Sequence, residues 1–327
     1  MAELLIIKPS SLGDIVHGLQ VATSLKAQRP ELRLSWVVRD VFAPLVRACE
    51  AVDRIHVFQR DGGPLAFLRL VREVRATRFD AVLDFQGLLR TGLLTWRARA
   101  PRKLGRSDAR EGAGFFYTEK APLPPAGRRS HAIDLLLQFC PLLGALPELR
   151  GDLQFREVDN LSLRHIEGPG GARPVLMFPD SRRPEKRWTG FKGLTELLLR
   201  EDRGRKVVWA GNHYLPDGGG FAPGQFLNLT GNTSLVALPA LVRHADWVIS
   251  NDSGPMHLAA ALGVRVLGIF GPTDPRLFGP YPLSRPGNHV VQAPVGDLRL
   301  LAVKDVFARF QRLDGASAER RRRERIF

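Results

Sequence analysis

Residues 247–262 read WVISNDSGPMHLAAAL, and this stretch decides how the fold of the chain is interpreted. Its first four residues are an apolar run that predicts a buried strand, and residues 255–262 have the pattern of a helix. Pro255 stands where the first turn of a helix tolerates proline. A strand that enters a helix through a short polar turn is the repeating unit of α/β proteins with parallel sheets.

The polar turn of this stretch is also a candidate binding site. The free amides and the dipole of a helix start favour an anion such as a diphosphate. Ser253 is placed to cap the helix, Asp252 to contact a sugar hydroxyl or to order the loop, and His257 to donate to a phosphate. An ordinary capped helix with a surface histidine explains the same residues equally well.

Strands and helices alternate along most of the chain. Strands are predicted at residues 4–8, 34–38, 55–58, 81–84, 174–178, 206–210, 226–229, 247–250 and 264–270. Helices are predicted at residues 15–27, 42–48, 65–75, 90–99, 131–143, 191–200, 235–245, 255–262 and 300–313. This order indicates two α/β halves, each built around a parallel sheet.

The domain boundary is predicted where this periodicity fades. Between residues 144 and 173 glycine and proline become frequent. A chain of 327 residues also fits two domains at roughly 150 residues each. We therefore predict one domain over residues 1–165, a second over residues 166–315, and a basic tail over residues 316–327.

Composition excludes several classes of protein. With 44% hydrophobic and 25% charged residues, the chain resembles an ordinary globular protein and not a disordered one. Two cysteines are too few for a disulfide scaffold, and the N-terminus does not resemble a signal peptide. No stretch approaches the roughly 20 apolar residues of a membrane span. We expect a cytoplasmic protein.

The net charge of +15 is unusual, and it is shared almost equally between the two halves of the chain. Such a charge favours polyanionic partners, which include nucleic acid, phosphorylated substrates and anionic membranes. Signatures of nucleic-acid-binding modules are missing, and aromatic and basic residues do not interleave in any obvious stripe, so nucleic acid is not an expected partner.

A second candidate site is the turn KPSSLGDIVH, residues 8–17, which joins the first strand to the first helix. Ligands of open α/β sheets bind beyond the carboxyl ends of strands, where this turn is expected to lie. Gly13 would let the backbone approach a ligand, and Asp14 stands at the helix entry. Asp14 is equally explained as an acid favoured by the helix dipole. Neither a phosphate loop nor a GxGxxG motif is present.

Two further strand ends carry polar residues. Residues 178–188, FPDSRRPEKRW, bring four cations beyond a strand, and such cations can stabilise a phosphate leaving group. A solvated basic loop is the alternative. Residues 84–90, DFQGLLR, offer Gln86 and Gly87. His131 opens a predicted helix and is explained equally well as a surface residue. Zinc-hydrolase, DxD and GxSxG motifs are all missing.

Taken together, these segments resemble the bacterial heptosyltransferases of lipopolysaccharide core assembly, which are GT-B glycosyltransferases. The segments that carry the resemblance are KPSSLGDIVHGLQ from residue 8, DFQGLLRTGLL from residue 84, HAID from residue 131, EKRW from residue 185, and NDSGPMHLAAALGVRVLGIFGPTDP from residue 251. They follow the family's order over nearly the whole chain. The first and third of these segments, together with DFQG, look nearer to heptosyltransferase I than to heptosyltransferase II.

The resemblance implies an α/β GT-B fold with two Rossmann-like domains that face each other across a cleft. It implies inverting, metal-independent transfer of heptose from ADP-heptose to the Kdo of a lipid A acceptor, without a cofactor, at the inner face of the cytoplasmic membrane. The N-terminal domain would bind the acceptor and the C-terminal domain the nucleotide sugar. The anionic membrane surface is an expected partner.

The resemblance also implies roles for individual residues. Asp14 would be the general base and Lys186 the cation on the donor's phosphates. Residues expected to bind the donor are Ser181, Arg187, Asp252, Ser253, Gly254, Pro255 and His257. Residues expected to bind the acceptor are Ser10, Ser11, Gly13, Gln86 and Arg110.

The chain departs from the family in one respect that concerns the donor. Family members commonly carry an acid after the strand that corresponds to residues 206–210, where it binds the donor's ribose. Here the segment reads GNHY, residues 211–214, and the next acid is Asp217. A nucleotide-sugar epimerase or hydrolase on the same fold, and a non-catalytic polyanion-binding protein, are the alternatives.

Overall fold

The computed structural model describes residues 2–156 and 163–324, and these two ranges belong to two separate compact units. Each unit contains one six-stranded sheet in which all strand pairs are parallel. Among the described residues, no helix is both long and apolar enough to cross a lipid bilayer.

The first sheet has the strand order β3-β2-β1-β4-β5-β6. Its strands are β1 (Ala2–Ile7), β2 (Leu32–Arg39), β3 (Arg54–Phe58), β4 (Ala81–Asp84), β5 (Arg102–Arg106) and β6 (Glu119–Ala121). The central strands β1 and β4 are mainly apolar, with LLII at residues 4–7 and AVL at residues 81–83, as expected for a parallel sheet that is buried on both faces. The order reverses between β1 and β4, and α/β sheets bind ligands at the carboxyl ends of such neighbouring strands.

The helices of this unit are α1 (Leu12–Gln28), α2 (Ala43–Ala48), α3 (Gly63–Ala76), α4 (Leu89–Arg97) and α5 (Ala132–Leu137). In α3 the buried residues are Ala66, Leu70 and Val74, four positions apart, so one side of the helix faces the core. Because α1 follows β1 directly and α4 follows β4, the starts of both helices lie at the reversal point.

The second sheet repeats this topology in the order β12-β11-β10-β7-β8-β9. Its strands are β7 (Val175–Phe178), β8 (Val207–Gly211), β9 (Phe226–Thr230), β10 (Trp247–Asn251), β11 (Arg265–Phe270) and β12 (Asn288–Gln292). Its helices are α6 (Phe191–Glu201), α7 (Leu238–His244), α8 (Gly254–Ala261), α9 (Pro275–Phe278) and α10 (Val303–Glu324). Here the order reverses between β7 and β10.

All nine predicted strands are confirmed to within a few residues, but β5, β6 and β12 were not predicted. The sequence of β5, RKLGR, lacks the apolar run that marks a buried strand, so periodicity did not predict it. It forms a strand because it pairs with β4 and β6. The helix predicted over residues 131–143 was too long, since α5 ends at Leu137 and a 3-10 turn, Pro141–Leu143, follows. Conversely, α10 continues to Glu324, into the segment predicted as a separate tail; alanine, glutamate and arginine all favour helix.

Asp314 connects α10 to the second sheet. Its carboxylate accepts hydrogen bonds from Trp247 Nε1 at 2.9 Å, from Arg205 at 2.8 Å and from Arg265 at 3.2 Å. Burial by itself would raise the pKa of Asp314, but the hydrogen bonds from Arg205 and Trp247 outweigh it and lower the pKa. The carboxylate form therefore stabilises the folded state.

Asp314→Asn should lower the free energy of unfolding by about 1–3 kcal/mol at pH 7, because it removes charge-assisted hydrogen bonds from a mostly buried group. A depressed folded-state pKa contributes stability above the ordinary carboxyl pKa and loses it as the pH falls through the folded value. The difference between wild type and variant should therefore shrink below about pH 4. Urea unfolding across this pH range measures it; Glu196→Gln, at an exposed site on α6, is the matched control.

Candidate functional site

A cleft of about 370 Å³ opens in the first unit at the carboxyl ends of β1 and β4. It is lined by Lys8, Asp14, Gln86, Gly87, Arg106, Asp108, Arg110 and Arg128. These residues come from the turn after β1, the turn after β4 and the segment that follows β5. The cleft thus occupies the reversal point of the first sheet, where the topology predicts a ligand.

Asp14 lies in the first turn of α1 and also lines the cleft. Its Oδ2 accepts hydrogen bonds from the Ser11 amide at 3.0 Å and from the Ser11 hydroxyl at 2.8 Å. Its Oδ1 lies 3.5 Å from Lys8 Nζ, and the Asp14 side chain is 43% exposed. The structural and the functional interpretations of Asp14 are therefore compatible.

Lys8 brings a cation to Asp14 from the interior of the unit. Its side chain is buried, and burial lowers the pKa of Lys8, an effect that the nearby Arg106 reinforces and Asp14 opposes. The ion pair holds the Asp14 carboxyl group at the wall of the cleft.

Asp84 fixes the turn after β4. Its side chain is fully buried and accepts hydrogen bonds from the amides of Gln86 and Gly87, at 2.9 and 3.0 Å, and from the Tyr117 hydroxyl at 2.8 Å. Burial raises the pKa of Asp84, although these donors oppose the effect. The Tyr117 ring lies against Gly105 of β5 so closely that a Cβ there would be 2.0 Å from the ring. Asp84 thus holds Gln86 at the cleft wall.

The remaining lining residues make the cleft basic. Arg106 and Asp108 form a bidentate pair with both N–O distances at 2.8 Å, and Arg110 and Arg128 are exposed. Four cations line the cleft against two acids, so its surroundings favour an anionic ligand.

In the second unit, Lys186 and Asp252 meet at the carboxyl ends of β7 and β10. Lys186 Nζ donates to Asp252 Oδ2 at 2.5 Å, and the two side chains are 14% and 5% exposed. The Thr273 hydroxyl donates to the same oxygen at 2.7 Å. The 3-10 turn Pro184–Lys186 reaches this position because Gly271 lacks a side chain: a Cβ there would lie 3.0 Å from the Glu185 carbonyl oxygen.

Asn251 fixes both ends of the basic segment. Its side chain is fully buried; Oδ1 accepts from the Trp188 amide at 3.0 Å, and Nδ2 donates to the Pro179 carbonyl at 2.9 Å. Residues 179–188 are thereby held beside the turn after β10. Sequence reasoning missed this role, although a polar residue at the end of a buried strand was a usable signal.

The start of α8 differs in two respects from what the sequence predicts. Ser253 occupies the N-cap position, but its side chain makes no capping hydrogen bond, and its hydroxyl lies 3.1 Å from that of Ser250. His257 is buried, which rules out the surface histidine of the alternative interpretation. Gly254 and Pro255 begin the helix as predicted.

Ser181 and Arg187 are close neighbours in the basic segment. Arg187 donates to the Ser181 carbonyl at 2.9 Å and pairs with Asp180 at 2.8 Å. Asp180 also lies 2.9 Å from His213 Nδ1, after β8. Asp180, which follows β7, therefore lies beside the segment 211–214, which has no acid of its own.

His131 is not a surface residue, contrary to one of its two interpretations. It is buried, and its Nδ1 accepts from the Ile133 amide at 3.2 Å as the N-cap of α5. Its ring centroid lies 5.3 Å from that of His17 on α1. His131 therefore belongs to the contact between these two helices.

The structure groups the predicted residues unequally. Asp14, Gln86 and Arg110 line the cleft, whereas Ser10 and Gly13 are not among its described lining residues and Ser11 acts through Asp14. The cleft residues that sequence reasoning did not single out are Lys8, Arg106, Asp108 and Arg128. In residues 2–156 and 163–324, no three histidines, cysteines or acids are grouped so that they could hold a metal ion.

Comparison with known proteins gives a consistent result. The sequence model of glycosyltransferase family 9 (heptosyltransferase) matches residues 67–293. Lipopolysaccharide heptosyltransferase 1 of Escherichia coli O18:K1:H7 is 29% identical over 314 residues, which cover 89% of this chain and 94% of that protein. Lipopolysaccharide heptosyltransferase 1 of Pseudomonas aeruginosa is 29% identical over 307 residues, 86% of this chain and 82% of that protein.

Solved structures agree. The E. coli heptosyltransferase WaaC with ADP matches with a TM-score of 0.80 and 26% identity, over 95% of this chain and 99% of that chain. The complex of the same enzyme with ADP-2-deoxy-2-fluoro heptose matches with a TM-score of 0.77 and 25% identity, over 95% and 99% of the two chains. The predicted GT-B fold class is confirmed.

Asn251→Ala should weaken nucleotide binding, because it releases the basic segment from the turn after β10. Two hydrogen bonds of a fully buried side chain are lost, so we also expect the free energy of unfolding to fall by about 2–4 kcal/mol. Isothermal titration with ADP, at a temperature where the variant remains folded, measures the first effect. Asn232→Ala, at an exposed site in the same unit, is the control; equal ADP affinity in both variants would contradict the positioning role.

Proposed function

Since the chain belongs to glycosyltransferase family 9, the heptosyltransferases, we propose that it transfers a heptose from ADP-heptose to the Kdo sugar of a lipid A acceptor in lipopolysaccharide core synthesis. The observation that carries the proposal is Asp14, an exposed carboxylate at the wall of a basic cleft, in a chain that matches the heptosyltransferases along most of its length.

Asp14 acts as the general base in this proposal. Its carboxylate accepts the proton of an acceptor hydroxyl while the hydroxyl oxygen attacks the anomeric carbon of the heptose. The bond between that carbon and the diphosphate oxygen breaks, and ADP leaves with the electron pair. Attack opposite to the leaving group inverts the anomeric centre. Ser11 and Lys8 orient the carboxylate.

Lys186 stabilises the departing diphosphate. Its ammonium has three N–H donors, of which one is used by Asp252. The backbone amide of Gly254, at the start of α8, provides a further donor for the phosphate oxygens, whereas Pro255 has no N–H and the Met256 amide donates to the Ser253 carbonyl. Ser181 and Arg187 belong to the same site. Charge stabilisation of this kind requires no metal ion.

The acceptor binds in the first unit, where Gln86 and Arg110 line the cleft and Ser10, Ser11 and Gly13 form the adjacent turn. Kdo is an anionic sugar, so the cations of the cleft are suited to it. The acceptor is part of a lipid, which places the protein at the inner face of the cytoplasmic membrane, and the net charge of +15 favours that anionic surface.

ADP is the nucleotide we propose for the donor. The support comes from the relatives, since the two WaaC complexes hold ADP and ADP-2-deoxy-2-fluoro heptose. Asp180, held by Arg187 and His213, is the carboxylate available near the segment 211–214, which lacks an acid of its own. A thermal-shift comparison should show a larger stabilisation by ADP than by UDP at equal concentration.

Asp14→Asn should lower the turnover rate about 100- to 10,000-fold, because the amide cannot accept the proton. The assay measures ADP released from ADP-heptose in the presence of Kdo-lipid A, together with the mass of the glycosylated lipid. Asp152→Asn, at an exposed position of the same unit, is the matched control. The thermal midpoint of each variant shows whether it is folded.

The same assay distinguishes the alternatives. Turnover of the nucleotide sugar that does not depend on the lipid acceptor would identify an epimerase or hydrolase. Tight, salt-dependent binding of nucleic acid without any nucleotide-sugar binding would identify a polyanion-binding protein. Transfer by Asp14→Asn at the wild-type rate would exclude Asp14 as the base.

Lys186→Met should raise the Kd for ADP at least tenfold, because it removes the cation nearest to the diphosphate. The single change also leaves Asp252 buried without its partner, which costs stability of about 3–5 kcal/mol. The double variant Lys186→Met/Asp252→Asn removes both charges and should recover much of that stability without recovering ADP affinity. Recovery of both would show that Lys186 has only a structural role.

A further inference from the structure

One surface of the first unit has no part in the chemistry described so far. It carries three large apolar side chains that are exposed to solvent: Leu89 at 43%, Trp96 at 49% and Phe115 at 92%. Leu89 and Trp96 belong to α4, and Phe115 belongs to the 3-10 turn Ala113–Phe116. We call these three residues the exposed apolar face.

The turn that carries Phe115 packs against α4, since a Cβ at Gly92 would lie 2.9 Å from the Phe116 ring. Leu89 and Trp96 are seven positions apart, about two helical turns, so they lie on the same side of α4. The other side of α4 faces the core through Leu94 and its neighbours. The ring of Phe116, next to Phe115 in the chain, has its centroid 6.2 Å from that of Trp96. Thus α4 exposes Leu89 and Trp96 on one side and buries Leu94 on the other.

Three cations border this face, together with Glu111, whose Oε2 accepts a hydrogen bond from the Leu89 amide at 3.2 Å. The Arg97 guanidinium lies 4.6 Å from the centroid of the Trp96 ring. Lys103 Nζ donates to the Trp96 carbonyl at 2.6 Å, and Lys120 Nζ lies beside Gly114. Aromatic rings bordered by lysine and arginine fit the boundary between lipid acyl chains and anionic headgroups.

We propose that the exposed apolar face docks the protein on an anionic phospholipid bilayer, with Phe115 and Trp96 inserted among the headgroups and the neighbouring cations on the phosphates. This inference rests on the proposed function in that the acceptor is lipid-linked. Because α4 begins directly after the turn that Asp84 fixes, the docked face would hold the cleft of the same unit close to the membrane.

The direct test is sedimentation of the protein with vesicles of phosphatidylglycerol and phosphatidylcholine, without nucleotide sugar or acceptor. Wild type should bind these vesicles in a salt-sensitive manner and bind pure phosphatidylcholine more weakly. Phe115→Ser should reduce the apparent vesicle affinity about tenfold or more, because its ring is lost from the contact. Leu300→Ser, at a site of the second unit whose side chain is 57% exposed, is the control and should bind as wild type.

Trp96 supplies an independent measurement. The other four tryptophans of the chain, Trp36, Trp188, Trp209 and Trp247, are buried. Brominated acyl chains in the vesicles should therefore quench Trp96 in particular. The quenching should disappear in Trp96→Phe, which keeps an aromatic ring and should still sediment with the vesicles.

Several results would overturn the proposal: wild-type affinity in folded Phe115→Ser, absence of quenching, or equal binding to neutral and anionic vesicles. A dimer of the wild type that Phe115→Ser converts to a monomer would instead assign the face to a second copy of the chain. Failure of the proposed function has a different signature, namely vesicle binding as expected without heptose transfer. Transfer to a delipidated acceptor without vesicle binding would leave the function intact and exclude docking.

Discussion

The reversal of strand order in each sheet is the constraint on which the candidate site depends. β1 pairs in parallel with both β2 and β4, and β10 pairs in parallel with both β7 and β11. The chain leaves neighbouring strands in opposite directions at these points, so the loops diverge and leave a crevice at the strand ends. Asp14 and Gln86 reach the first crevice in this way, and Lys186 and Asp252 reach the second.

Charge in the two crevices is held in pairs. Lys8 lies against Asp14, Arg106 against Asp108, and Lys186 against Asp252. An unpaired charge in such partly buried positions would be costly, whereas each pair holds both side chains in place. An anionic substrate group offers the cation of each pair an alternative partner.

The sequence was sufficient for the parts of the fold that rest on local pattern. The strand and helix of residues 247–262 and the turn at Asp14 combine an apolar run with a helix-start signal, and both were predicted. β5 was not, because its charged residues make a strand only when β4 and β6 pair with it. The roles of Asp84 and Asn251 also escaped prediction, since their partners, Tyr117 and Trp188 among them, are distant in the chain.

The contact between Tyr117 and Gly105 limits how this scaffold can be redesigned. The ring occupies the space that any side chain at position 105 would need, and its hydroxyl completes the hydrogen bonding of Asp84. Neither residue lines the cleft, yet the turn that carries Gln86 is built on them. A library aimed at new acceptors has to keep Gly105, Tyr117 and Asp84 together, and to draw its diversity from the arginines around them.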